Sequence, residues 1–102
     1  MDGHRLATYA EELITVGSTA VGLTNSTTYL SASPPPDQVE LFVETAQVRY
    51  RLDDTDATAS VGEPLNPYDR LVLTSRNEMV NLSLIRTGGV SASVRARYKR
   101  AY

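Results

Sequence analysis

The chain of 102 residues has no cysteine and no tryptophan, a single histidine, and no long apolar run. Each shortage closes a class of function. Without cysteine there can be no disulfide, no thiolate metal site and no cysteine nucleophile, so stability must come from packing and association. His4 is the only imidazole and stands close to the N-terminus, where chains are poorly held. A Ser-His-Asp triad needs a rigidly placed ring, so His4 reads as a solvated residue. No stretch reaches the roughly 18 apolar residues that a membrane span requires. Met1-Asp2-Gly3-His4-Arg5 leads into no apolar signal segment, so synthesis in a cytoplasm is expected. Asn25-Ser26-Thr27 and Asn81-Leu82-Ser83 match the glycosylation sequon, and in that setting both read as chance.

What is present is ordinary for a folded soluble domain. Hydrophobic residues make up 41% and charged residues 22%, a balance that argues against disorder. The length suits one domain with a modest core. The net charge of −2 conceals an uneven distribution. Residues 1–69 carry eleven acids and three bases, a balance of −8, whereas residues 70–102 carry one acid and seven bases, a balance of +6. Such segments can pair inside one fold or offer complementary faces to neighbouring copies.

Period-2 patterning dominates and predicts an all-β domain, an antiparallel β-sandwich or jelly-roll-like fold of seven to eight short strands. Residues 13–102 form the single sandwich domain, with 1–12 as an N-terminal arm or short extension. A two-turn helix over Leu6–Leu13 competes there with a strand. Leu13–Val16 and Thr19–Thr24 are β-rich runs around Gly17-Ser18. Residues 25–38, with Pro34-Pro35-Pro36, read as a surface loop or edge, because proline cannot donate to a ladder. In 39–52, Val39, Leu41 and Val43 share one parity and Val48, Tyr50 and Leu52 the other. Parity changes only through an extra residue, so a bulge or bend near Glu44-Thr45-Ala46 should carry the chain between sheets. Ala57–Val61 reads as a further β-rich run, Gly62–Tyr68 as a loop, and Leu71–Ser75 and Met79–Arg86 as strands. Thr87-Gly88-Gly89 offers a tight hairpin turn. The last strand places Val90, Ala92, Val94, Ala96 and Tyr98 on one face, with Ser91, Ser93, Arg95, Arg97 and Lys99 on the other.

Chemistry-bearing constellations are few. Asp53, Asp54 and Asp56 cluster, but the EF-hand spacing is absent and a self-bonded turn explains the same letters. Glu40 and Glu44 show no spacing that singles out a glycosidase pair. Gly88-Gly89 is no phosphate loop, since no P-loop pattern surrounds it. No catalytic residue, cofactor or metal site is expected, and the chain does not read as an enzyme. The docking candidates are the row Arg95, Arg97 and Lys99 with Arg100 beside it, then Arg49 and Arg51. Guanidinium groups on a rigid strand suit bidentate pairing with carboxylates. Pro34, Pro35 and Pro36 and the segment up to Glu12 are candidate arms, and Tyr98 and Tyr102 candidate anchors, although Tyr98 has core parity. An acidic chain lacking interleaved aromatics is not expected to bind nucleic acid.

Two runs, Ile14 to Thr24 (ITVGSTAVGLT) and Glu44 to Thr55 (ETAQVRYRLDDT), resemble a group of small virion proteins of tailed bacteriophages. The likeness extends through Thr58-Ala59-Ser60-Val61-Gly62 and Ile85-Arg86-Thr87-Gly88-Gly89, and covers roughly residues 13–98. The group more often has glycine and proline where this chain has Asp54-Thr55-Asp56-Ala57. The resemblance implies a small β-sandwich in the virion, a capsid decoration or cement protein that stabilises the major capsid protein shell as a homo-oligomer. A neck, tail or fibre-associated protein is the alternative within that setting. A carbohydrate-binding sandwich is the alternative outside it, and it wants exposed aromatic platforms.

Overall fold

The structure, a computed structural model, describes residues 6–23, 36–53 and 55–101. Its elements run β1 (Leu6–Val16), β2 (Gln38–Val43), β3 (Val48–Arg51), β4 (Glu63–Leu65), β5 (Arg70–Leu73), α1 (Arg76–Asn81), β6 (Ser83–Arg86) and β7 (Ala92–Ala101). Two antiparallel sheets result, ordered β1-β7-β2-β5 and β4-β3-β6. Both contribute to one core in which Ile14, Val16, Val39, Leu41, Val43, Val94 and Tyr98 of the larger sheet meet Val48, Leu65 and Leu84 of the smaller.

The pairings are nested. β1 pairs with β7, Val21 with Leu84 of β6, β2 with β5, and β3 with β4. First joins last, second joins next to last, and so inward, as when a long antiparallel ribbon is rolled into the two sheets of a jelly roll. The expected sandwich with jelly-roll character is therefore present. The member that should stand second is reduced, among the described residues, to Val21. Its N–H donates to Leu84 O at 2.9 Å, and its carbonyl accepts from Leu84 N–H at 2.7 Å. Beside it Gly22 lies so close to the Leu82 carbonyl that a Cβ would stand 2.8 Å from the oxygen. Only glycine fits there without displacing backbone.

The parity change in 39–52 does what the pattern requires. β2 lies in the larger sheet, β3 in the smaller, and the chain crosses at Glu44–Gln47. On β7, Ala92, Val94, Ala96 and Tyr98 are buried as expected, while Val90 precedes the strand and is exposed.

Other expectations are corrected. Residues 6–12, read as an arm or extension with a strand as one of its possible forms, are part of strand β1, in register with β7 from Leu6↔Ala101 to Val16↔Ala92 apart from a bulge between Thr8 and Ala10. Leu13 points outward because Ile14 and Val16 take the core parity. Ala57–Val61 forms no strand. Thr58 and Val61 instead exchange backbone hydrogen bonds, reinforced by the Thr58 hydroxyl accepting from Val61 N–H. The expected loop after Gly62 contains β4, an edge strand that accommodates Pro64 because its partner lies on one side only. Met79–Asn81 is helical. Ser75 caps α1 by accepting from Glu78 N–H at 3.2 Å, and the Glu78 carboxylate accepts from Thr74 N–H. Thr87-Gly88-Gly89 is no hairpin: β6 and β7 lie in different sheets, and neither glycine has positive φ.

Candidate functional site

The outer face of the larger sheet gathers three of the candidate residues, Arg95, Arg97 and Lys99. Alternation turns Arg95, Arg97 and Lys99 of β7 outward, and its two neighbours set acids beside them. Register pairs Glu11 of β1 with Arg97, and Glu40 of β2 with the same residue. Arg95 Nε donates to Glu44 Oε2 at 2.9 Å, and its Nη1 lies 3.5 Å from Glu11 Oε1. Arg97 spans Glu11 and Glu40 at 3.5 and 3.7 Å, and Lys99 Nζ lies 3.6 Å from Glu40. Arg70 of β5 closes on Glu40 from the other side at 3.1 Å. Acids of the first segment thus pair with bases of the second inside one fold. Glu44, through its hydrogen bond, holds the Arg95 guanidinium above the usual arginine pKa. Because these groups are partly exposed, solvent screening leaves each pair little net stabilisation. Their larger effect is to hold the cations in fixed positions.

Apolar side chains interrupt this charge lattice. One row across the sheet reads Leu13, Arg95, Phe42, Arg70. The Arg70 guanidinium stands 4.9 Å from the Phe42 ring centre, and Tyr68 meets the same ring at 6.2 Å with a 42° tilt. Tyr68 is 75% exposed and has φ +72°. It occupies the third position of the turn Asn66-Pro67-Tyr68-Asp69, closed by Asp69 N–H donating to Asn66 O at 3.0 Å. That position normally takes glycine or asparagine. A tyrosine held there carries strain of order 1 kcal/mol, and it projects a ring into solvent beside the charged lattice. Period and charge gave no sign of it, although the Pro-Tyr pair inside a turn was visible.

The other candidates have different roles. Arg100 faces away from the row and stacks 3.8 Å over the Tyr9 ring. Arg49 is a loop clamp: its Nε donates to Ala59 O at 3.1 Å and its Nη1 to Gly62 O at 2.7 Å. Arg51 pairs with Asp53, donating from Nε at 3.0 Å. That hydrogen bond lowers the Asp53 carboxyl below its ordinary value and raises Arg51. Pro36 is buried rather than displayed. Tyr98 is a core residue whose hydroxyl donates to the buried Glu12 carboxylate. His4, Asn25–Thr27, Pro34, Pro35, Asp54 and Tyr102 lie outside the described residues. Among the described residues no three His, Cys, Asp or Glu side chains gather closely enough to hold a metal ion.

Gln47, which sequence reasoning passed over, ties three crossings together at one end of the roll. Its amide nitrogen donates to Asn66 Oδ1, and its amide oxygen accepts from the Thr87 hydroxyl, each at 2.8 Å. Asn66 N–H in turn donates to Asp69. The turn carrying Tyr68 is therefore braced from behind.

Comparison with known protein families, with characterised proteins and with solved structures finds no match for this chain.

Proposed function

We propose that this chain is a structural protein of a tailed-bacteriophage virion, a decoration or cement protein that binds the major capsid protein and stabilises the shell. The observation that carries this reading is the outer face of the larger sheet. Arg95, Arg97 and Lys99 are held between Glu11, Glu40 and Glu44, beside Leu13, Phe42, Val72 and Tyr68. A face whose cations are already oriented loses little side-chain freedom on docking. Arginine and aromatic side chains together are the composition that protein interfaces favour. The segments between residues 13 and 98 that resemble small phage virion proteins supply the setting. Repetition over a shell turns weak single contacts into firm attachment.

The test is addition of the purified chain to capsids stripped of it, with occupancy read by pelleting. Arg97→Gln and Tyr68→Ser, each of which should leave the fold intact, are expected to lower occupancy at a fixed concentration. Binding of both variants at the wild-type level would refute docking through this face.

A further inference from the structure

Among the described residues four strands stand at sheet edges, and they differ in how they are protected. β6 is met by Val21, which pairs with Leu84, and by Gly17 O, which accepts from Arg86 N–H. β4 is three residues long and contains Pro64. β5 is four residues long and begins with Arg70 at a tight turn. Short length, proline and charge are the usual devices that keep an edge from pairing with another chain. Among the described residues β1 is an edge strand of eleven residues with no proline, lysine or arginine. Its two charges are already engaged within the chain, Glu11 with Arg95 and Arg97 and the buried Glu12 with the Tyr98 hydroxyl. Its one irregularity is the bulge between Thr8 and Ala10, which leaves Ala10–Val16 as an unbroken run. The middle residue of that run is Leu13, more than half exposed.

We infer that β1 is the contact through which the chain pairs with a second copy of itself, antiparallel, about a twofold axis at Leu13. In that register Ala10 faces Val16 of the other copy, Glu11 faces Thr15, Glu12 faces Ile14, and Leu13 meets its own mate. No carboxylate opposes a carboxylate. A twofold at Glu11 or at Glu12 would set acids directly against each other, which destabilises a pair. The bulge ends the pairing on one side and the crossing at Gly17 on the other. Two copies of the larger sheet then form one continuous eight-stranded sheet, and the two Leu13 side chains cover one another. The inference rests on the sheet edge alone and not on the virion reading, so each can fail without the other.

Because the chain has no cysteine, single thiols report this geometry directly. Leu13→Cys should crosslink to a covalent dimer on mild oxidation, since directly opposed Cβ atoms lie about 4.5–5.5 Å apart. Thr15→Cys should not, because its mate lies about 14 Å away along strands rising about 3.4 Å per residue. Light scattering of the wild-type protein at high micromolar concentration should give twice the chain mass. Leu13→Lys should return it to the single-chain mass with an unchanged circular dichroism spectrum. A wild-type chain that stays monomeric overturns the inference. So does an oligomer that Leu13→Lys leaves intact, or one in which Thr15→Cys crosslinks as readily as Leu13→Cys.

Discussion

The two sheets hold together by different means. In the larger one, β7 is joined to β1 and β2 by long backbone ladders, with apolar side chains on the inner face and acid against base on the outer. In the smaller one the strands are three or four residues long, too short to be independently stable. It depends on hydrogen bonds to segments outside its own ladder. Val21 closes onto Leu84, the Ser83 hydroxyl accepts from Ala57 N–H at 3.0 Å, and Arg49 grips two carbonyls of the 57–62 loop. One residue type thus takes two different settings in one domain. Arginine on the larger sheet lies among carboxylates on a partly exposed face, whereas Arg49 on the smaller sheet bonds two loop carbonyls.

The largest test of this contrast is removal of core volume beneath the smaller sheet. Leu84 is fully buried and carries both bonds to Val21, so Leu84→Ala should cost about 2–5 kcal/mol. Hydrogen exchange should accelerate in β3, β4 and β6 before β1 and β7; uniform acceleration would show that the sheets open as one. Next is Gly62, at φ +130° with a Cβ position 3.0 Å from Tyr50 O. Gly62→Ala should lower stability by about 1–3 kcal/mol, while Gly89→Ala, which meets open space, should stay within about 0.5 kcal/mol. Chemical denaturation of both variants measures the difference.

Smaller still is the arginine exchange. Arg49→Met keeps the aliphatic stem but loses both carbonyl contacts, at a cost of about 1–2 kcal/mol, with faster proteolysis in the 57–62 loop. Arg97→Met removes only solvent-screened pairs and should cost less than about 0.5 kcal/mol. Equal losses would erase the distinction between the sheets. The smallest effect is a titration. Burial, then the hydrogen bond to Glu63, raises the Tyr50 phenol above its ordinary value. A raised phenol pKa stabilises the fold fully below the unfolded value and loses that contribution as pH climbs through the folded one. Glu63→Gln should move the Tyr50 ultraviolet titration down and flatten the alkaline stability profile.

The same contrast sets what could be read from the sequence. β7 and the β2–β3 crossing were legible because long strands buried on one face impose period 2, and a parity change forces a bend. The short elements were not, because three or four residues carry too little periodicity. Their positions follow from distant partners: Ala57 from Ser83, Val21 from Leu84, Arg49 from Gly62. The Ser75–Glu78 capping pair of α1 stands in the letters, and the strand reading of Met79–Arg86 passed over it. Charge asymmetry was visible, and the structure resolves it as pairing within the chain. The arginine row was legible as a row. Its acidic partners, Glu11, Glu40 and Glu44, depend on strand order, which no single strand contains. Tyr68 escaped notice because its exposure comes from a turn conformation that period and charge do not encode.

The proposed attachment to a virion is tested most directly by quantitative mass spectrometry of purified, intact particles. A chain that attaches to the shell co-sediments with them in a fixed ratio to the major capsid protein, commensurate with the sites of the shell. Its absence from washed particles, or its recovery only in the free fraction, would refute the proposal.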